Sequence, residues 1–552
     1  MTGTYNNWIQ IYLMNSDIES LQVKNLCVDA VNRFGETVPI ISDVSFTVAA
    51  GKVISLIGES GSGKTTIALA AMVYARPGCR IRSGKVILSG RDIFALNSSE
   101  RQQMRGTEIA YIAQSAAAAF NGALTIGTQV TEIALLKGLM SRQKAKRRAV
   151  SLYRQLELPD PERIGKLYPH QVSGGQLQRL MAAMAMICRP KLLILDEPTT
   201  ALDVTTQIEV LKAFKRLIQI EGTAAIYVSH DLAVVTQMAD DILVLKDGQM
   251  VELQPTEKII TNPREVYTRM LMKAVPRLPE DLISRDFGND DELLKVKNIT
   301  AGYGSLSGSI VLKNISIKVK QGETVGIIGE SGSGKTTLGR VISGLMAPRS
   351  GDIVLDGKVL GSKFSDRSRR ELQQIQFVFQ MAETALNPRQ RVRNILGRPL
   401  DFYLGLKGKE AERRIYELLK LVELPGHFIN RYPLELSGGQ LQRINFARAL
   451  AAEPKLIICD EITSALDTLV SASIIELLLS LKKRLGLAYL FISHDLSTVA
   501  NLADSVAVMR HGEIVEYGTV AEVLKPPYHQ YTELLLNSIP KLRKGWLEEV
   551  SA

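Results

Sequence analysis

The chain has 552 residues and a formal charge of +10, too long for one hydrophobic core and ordinary for a globular protein in its 45% hydrophobic and 22% charged content. No uninterrupted apolar run approaches the roughly 18 residues that span a bilayer, with Ile67 to Ala75 among the longest. The polar and acidic start from Met1 to Gln22 does not read as a signal peptide. Four cysteines (Cys27, Cys79, Cys188, Cys459) without a CxxC pair argue against a zinc site or a disulfide framework, and the densest basic run, Arg142 to Arg148, reads as a solvated helix face rather than a nucleic-acid surface.

In chain order, residues 1 to 20 read as a loose tail, with Met14 as an alternative start, and patterned sequence begins at Leu21. Leu21 to Leu26 and Val44 to Val48 alternate as strands. The apolar run Val53 to Ile57 then enters Gly58-Glu59-Ser60-Gly61-Ser62-Gly63-Lys64-Thr65-Thr66, which precedes a helix-forming segment. The same nine residues return as Gly329-Glu330-Ser331-Gly332-Ser333-Gly334-Lys335-Thr336-Thr337 after Val325 to Ile328. Strand, Gly-rich loop and helix make the phosphate-binding P-loop: glycines let the backbone N–H groups turn inward, and the helix dipole favours an anion. Lys64 or Lys335 reaches the β- and γ-phosphates, and the hydroxyl of Thr65 or Thr336 is placed for Mg2+. A Gly/Ser-rich turn would explain one copy but not two.

Gly84 to Ile93 and Gly351 to Val359 carry Ser-Gly and Asp-Gly turns and read as hairpins. Helical pattern follows Tyr111-Ile112-Ala113 up to about Leu158, and again from about Pro388 to Leu424. Next come Ser173-Gly174-Gly175-Gln176 and Ser437-Gly438-Gly439-Gln440, each opening a helix and able to hold a phosphate on backbone N–H groups. Each serine lies 23 residues before an aspartate that ends a buried strand, Asp196 or Asp460. In Asp196-Glu197 and Asp460-Glu461 the first carboxylate is suited to Mg2+ and the second to activating water. Alone, such a pair could equally be a helix N-cap. His230 and His494 end further apolar strands in Ser-His-Asp. The stretch 276–292, rich in Pro, Asp and Glu, reads as a linker between a domain at 21–275 and another at 293–552. The difference in length between the two halves falls between P-loop and Ser-Gly-Gly, in the helical insertion and its flanks.

These motifs, in this order and spacing, resemble the Walker A, signature and Walker B elements of ATP-binding cassette (ABC) ATPases over nearly the whole chain from residue 20. The resemblance implies an α/β fold: two P-loop NTPase domains in tandem, each a mixed-sheet core with an antiparallel β subdomain and an inserted helical subdomain. It implies ATP and Mg2+ as ligands, and cassettes that face head to tail. One site would then combine Lys64, Thr65, Gln114, Asp196, Glu197 and His230 with Ser437, Gly438, Gly439 and Gln440. The other would combine Lys335, Thr336, Gln380, Asp460, Glu461 and His494 with Ser173, Gly174, Gly175 and Gln176. Gln114 and Gln380 match the family's Q-loop glutamine, which touches Mg2+, and the histidines match its γ-phosphate switch. Ala201-Leu202-Asp203 and Ala465-Leu466-Asp467 match a loop that crosses the domain interface. Phe34 and Tyr303 stand where the family stacks an aromatic on adenine.

The chain departs from the pattern at Ile462, where the first half has Pro198, and at Ser115 to Ala119, where many relatives have Asp-Pro. Neither change removes a phosphate, metal or water ligand, so both sites are expected to be competent. Tyr168-Pro169-His170-Gln171, Tyr432-Pro433, Leu386-Asn387-Pro388-Arg389, Asn262-Pro263 with Tyr267-Thr268, and Tyr531-Thr532 with Ser538-Ile539-Pro540 are similar to the oligopeptide/dipeptide/nickel importers. Membership there implies a peripheral subunit on the cytoplasmic face of the bacterial inner membrane, working with two integral-membrane permeases and a solute-binding protein. The solute would be a peptide, nickel or a metal chelate. Some peptide members carry an iron–sulfur cysteine cluster, and this sequence has none. The rival class, soluble tandem ATPases of ribosomes or DNA, tends to carry a long charged linker, zinc cysteines or a coiled coil, all absent here.

Overall fold

Among the described residues, two runs of ten strands repeat one plan. In the first half these are β1 (Glu19–Val31), β2 (Thr37–Ala49), β3 (Val53–Ile57), β4 (Cys79–Leu88), β5 (Arg91–Asp92), β6 (Ile109–Ile112), β7 (Leu192–Asp196), β8 (Ala224–Val228), β9 (Asp241–Lys246) and β10 (Gln249–Pro255). In the second they are β11 (Glu292–Gly302), β12 (Ile310–Lys320), β13 (Thr324–Ile328), β14 (Ser350–Leu355), β15 (Lys358–Val359), β16 (Ile375–Val378), β17 (Leu456–Asp460), β18 (Ala488–Ile492), β19 (Ser505–Arg510) and β20 (Glu513–Thr519). The structure is a computed structural model and describes residues 19–31, 36–199, 202–279, 291–304, 308–464 and 466–550.

Each half forms a four-stranded antiparallel sheet, β2-β1-β4-β5 or β12-β11-β14-β15, and a six-stranded sheet, β10-β9-β3-β8-β7-β6 or β16-β17-β18-β13-β19-β20. Within the larger sheets only the β9–β10 and β19–β20 pairs are antiparallel. The central strands β3, β7 and β8 are buried at every residue, as are β13, β17 and β18. This is why they read as unbroken apolar runs: helices cover both faces of a parallel sheet. The P-loop emerges from the C-terminal end of β3 or β13, next to the ends of β8 and β18, which carry the two histidines.

The expected hairpins are present. Ser89 and Gly90 take φ of 49° and 81°, and Asp356 and Gly357 take 47° and 74°, the left-handed pair that a two-residue turn of this hand requires. Helices Ile126–Leu136 and Arg142–Gln155, and in the second half Val392–Leu404 and Gly408–Leu421, make the insertions. On Arg142–Gln155 the basic side chains Arg142, Lys144, Lys146 and Arg147 are exposed while Ala145 and Ala149 are buried, a solvated face as expected. Arg148 instead pairs with the buried Glu221 at 2.9 Å. The length difference between halves falls largely outside the insertions: β4 has ten residues where β14 has six, and the extra length is half-exposed strand ahead of the hairpin.

The chain divides into two units, residues 1–275 with 540–552, and residues 276–539. The last residues therefore pack with the first unit, whereas their sequence placed them in a second domain running from 293 to 552. Gln237 shows why. Its amide donates to the carbonyls of Lys541 (2.7 Å) and Arg543 (2.9 Å) and accepts from the N–H of Leu547 (3.1 Å). Lys215 pairs with Glu548 at 2.7 Å, Lys212 donates to the carbonyl of Val550, and Trp546 and Leu547 are buried. An amide with three backbone partners and a buried indole hold a segment too short to fold alone. Trp546→Ala, at a typical cost of about 3–5 kcal/mol for a buried aromatic, should release it. Trypsin should then cleave the folded variant rapidly after Lys541, Arg543 or Lys544, and the parent chain slowly.

Among the described residues, no helix is long and apolar enough to cross a membrane.

Candidate active sites

In each unit the P-loop is closed by its own lysine. Lys64 Nζ donates to the carbonyls of Gly58 and Glu59, both at 2.8 Å, and Lys335 Nζ donates to those of Gly329 and Glu330 at the same distance. The curl needs glycine. Gly58 and Gly329 have φ of 144° and 150°, and a Cβ there would lie 2.1 Å from the Leu245 carbonyl oxygen or 2.2 Å from that of Met509. Gly61 and Gly332, at φ of 84° and 81°, have open space around the same position. Gly63 and Gly334 lead into helices Lys64–Ala71 and Lys335–Ile342. Ser62 and Ser333 are buried, and their hydroxyls have no hydrogen-bond partner among the described residues. Such orphaned polar atoms in a loop of inward N–H groups fit a phosphate acceptor.

The acidic pair meets the loop from the neighbouring strand. Thr65 Oγ1 donates to Asp196 Oδ1 at 3.1 Å, and Thr336 Oγ1 to Asp460 Oδ1 at 2.9 Å. Glu197 and Glu461 follow at φ of 50° and 48°, a left-handed conformation that costs a non-glycine residue about 1–3 kcal/mol. Each is held there by an N–H bond of 2.9 Å to the adjacent strand, at the carbonyl of Val228 or Ile492. The same strain recurs in both units at the residue expected to activate water.

A glutamine and a histidine then face each glutamate carboxylate. Gln114 Nε2 donates to Glu197 at 3.3 Å and Gln380 Nε2 to Glu461 at 3.0 Å. His230 Nδ1 lies 3.1 Å from Glu197, and His494 Nδ1 lies 3.6 Å from Glu461. Burial disfavours a charged ring, but the hydrogen bond and charge of the glutamate outweigh it, so both imidazoles are held above the usual histidine range. The Glu461 carboxyl is lowered: burial works against this, and His494 and Lys335 overcome it. Burial pushes the Asp460 carboxyl up, opposed by its Thr336 hydrogen bond.

One residue of this site was not legible in the sequence. Tyr111 donates from its hydroxyl to Asp196 Oδ2 at 2.8 Å. Burial first, then the Asp196 charge and hydrogen bond, keep its proton on. Phe377 occupies the matching strand position in the second unit, so Asp460 lacks this bond. The one available signal was a polar-tipped aromatic three residues before Gln114 at the end of a buried strand.

The Ser-Gly-Gly turns are built as the spacing suggested. Ser173 and Ser437 cap helices Gly174–Met186 and Gly438–Leu450, accepting from the N–H of Gln176 and Gln440, whose side chains bond back to the serine N–H groups. A Cβ on Gly175 would meet Thr206 at 2.1 Å, and one on Gly439 would meet Val470 at 2.5 Å. Tyr303 is half exposed, its hydroxyl 3.3 Å from Thr337 Oγ1 at the start of the P-loop helix. Phe34, Ala201, Ala465 and most of the expected linker lie outside the described residues. The altered stretch at Ser115 keeps the local shape of its counterpart: Ala116–Ala119 and Ala382–Ala385 are equivalent single turns, the first capped by Ser115. Ile462 is buried in the core of its unit.

Comparison with known proteins decides the family. Residues 41–200 and 312–464 match the family described as ABC transporter, and residues 251–297 and 515–551 match the oligopeptide/dipeptide transporter C-terminal region. The chain belongs to the ABC transporter family. Its two units are tandem ABC ATPase domains, of a family whose members bind and hydrolyse ATP. It is 37% identical over 94% of its length to the glutathione import ATP-binding protein GsiA of Escherichia coli O157:H7, covering 89% of that protein. The Salmonella choleraesuis protein of the same description is 37% identical over 96% of this chain and 90% of its own. Among solved ABC structures, cbiO1 of the Clostridium perfringens cbiONQ complex matches 42% of this chain and 90% of its own at 30% identity and a TM-score of 0.39. An ABC cassette bound to ADP and Pi matches 41% of this chain and 99% of its own at 34% identity and a TM-score of 0.38.

Proposed function

We propose that this chain is the ATP-hydrolysing subunit of an importer, driving uptake of a short peptide or peptide-like solute through separate membrane subunits supplied by a solute-binding protein. The observation that carries this reading is the end-to-end similarity, at 37% identity, to proteins described as glutathione import ATP-binding proteins; glutathione is a tripeptide. The C-terminal match in both halves supports it. Nickel or a chelated metal has no comparable support. A cytoplasmic, peripheral position follows from the same reading.

In the proposed mechanism Lys64 and Lys335, with the P-loop N–H groups, bind the β- and γ-phosphates. Oxygen-only donors, a threonine hydroxyl beside an aspartate with a Q-loop glutamine nearby, suit Mg2+. Thr65, Asp196 and Gln114, or Thr336, Asp460 and Gln380, would hold it, and when bound it neutralises charge on the phosphates. Glu197 and Glu461 accept the proton of the attacking water, oriented by Gln114 and His230 or by Gln380 and His494. Tyr303 would stack on adenine.

Each Ser-Gly-Gly turn serves the ATP held by the other unit's P-loop, so that ATP favours a closed arrangement and hydrolysis releases it. Swinging such an equilibrium from 1:99 to 99:1 takes about 5.5 kcal/mol of differential binding, which contacts to a γ-phosphate made only in the closed form can supply. The helical insertions pass that movement to the membrane subunits.

Deleting the gene and measuring uptake across glutathione, di- and tripeptides and nickel tests the assignment. Loss of peptide uptake with nickel uptake unchanged is expected. Unchanged uptake of every peptide, or purification of the chain with ribosomes rather than with membranes, would contradict it.

A further inference from the structure

We propose that Tyr267 and Tyr531 are positioning residues of the two P-loops, through which the C-terminal helix of each ATPase domain sets the loop's affinity for nucleotide; the proposal rests on the ATPase reading. Both tyrosines lie outside the ABC match and within the segments that match the oligopeptide/dipeptide C-terminal region. Tyr267 sits on helix Val266–Ala274 and Tyr531 on helix Gln530–Asn537. Far along the chain from its P-loop, each reaches that loop with its hydroxyl. The N–H of Glu59 donates to Tyr267 Oη at 3.3 Å, and the N–H of Glu330 donates to Tyr531 Oη at 2.9 Å.

The peptide they hold is the one that matters to the lysine. The N–H of Glu59 and the carbonyl of Gly58 belong to one planar amide, whose two ends point in opposite directions. That carbonyl accepts from Lys64 at 2.8 Å, as the Gly329 carbonyl does from Lys335. The tyrosine thus pins one end of the plane while the phosphate-binding lysine is bound to the other. Rotation of this peptide would move the carbonyl away from the ammonium and change where the lysine rests.

The tyrosines are themselves fixed. Lys246 lies 5.1 Å above the ring of Tyr267, and Arg510 lies 4.8 Å above that of Tyr531. These cations end the strands whose carbonyls, at Leu245 and Met509, leave no room for a side chain on the first P-loop glycine. Glu252 takes the N–H groups of Arg264 (2.8 Å) and Glu265 (3.1 Å), setting the entry to the Tyr267 helix, and its counterpart Glu516 takes the hydroxyl of Thr532. A tyrosine kept only for packing needs no partner for its hydroxyl: Tyr153 and Tyr489, also buried, have none among the described residues. That the hydroxyl meets the same loop atom in both units is what separates position from packing.

The test is Tyr267→Phe with Tyr531→Phe in the full-length chain, which keeps both rings and removes both hydroxyls. Losing one hydrogen bond per site should raise KM for ATP by about 5- to 10-fold, with kcat at saturating ATP within about two-fold of the parent. The thermal midpoint without nucleotide should hold, and amide exchange should quicken at Glu59 and Glu330. KM within two-fold of the parent would overturn the proposal. So would a parallel fall in kcat, ATP affinity and thermal midpoint, the signature of lost packing. Turnover by the unaltered chain reports separately on the ATPase reading, and a chain that does not hydrolyse ATP would sink that reading and this proposal together.

Discussion

Replacing Glu197 and Glu461 together by glutamine should lower ATP turnover by about 10²–10⁴, the usual range for loss of a general base, while ATP binding persists. Glutamine keeps the size and the carbonyl that can accept from Gln114 or Gln380, and loses only the capacity to take a proton. The geometry argues that this capacity is what each site preserves. Both glutamates are held at positive φ against a cost of about 1–3 kcal/mol, and each has a glutamine and a histidine aimed at its carboxylate. A carboxylate kept only to cap a helix would need neither device. Phosphate release and nucleotide binding measured on the same preparation check the prediction, and a double variant turning over at the parental rate contradicts the assignment.

Lys64→Ala and Lys335→Ala should act on the other step. Each ammonium is buried and grips two loop carbonyls. Removing it takes away the principal positive charge at the phosphates and the donor that keeps the loop closed. Losing one partner of a buried charge pair commonly costs about 2–5 kcal/mol, so ATP affinity at the altered site should fall by at least about 30-fold. Titration calorimetry with each single variant should show one weakened site and one retained site. Two sites of unchanged affinity would contradict the role given to the lysines.

Much of this architecture is legible in the residues because its functional parts are local. A glycine that must take positive φ, a buried strand between two helices, a serine that caps a helix carrying two glycines: each leaves its mark within a few positions. Duplication then turns weak patterns into strong ones, as Asp-Glu and Ser-His-Asp show. What could not be read depends on distant contacts. Trp546 and Leu547 look like the end of the second half until Gln237 is seen to hold the backbone of Lys541, Arg543 and Leu547. Tyr111 is one aromatic among several at a strand end, and only the strand order places its hydroxyl on Asp196. Tyr267 and Tyr531 stood out as family markers in the sequence, but nothing near them hints at a P-loop. The length difference, placed in the helical insertion and its flanks, falls mostly earlier between P-loop and Ser-Gly-Gly, because half-exposed strand and loop are equally tolerant of insertion.

The central claim is that each Ser-Gly-Gly turn completes the ATP site of the opposite P-loop. A structure of the Glu197→Gln, Glu461→Gln chain loaded with ATP and Mg2+ tests it most directly. The N–H groups following Ser173 should lie about 3 Å from the γ-phosphate on Lys335, and those following Ser437 the same distance from the γ-phosphate on Lys64. Both turns facing solvent, with each triphosphate held by one unit alone, would contradict it.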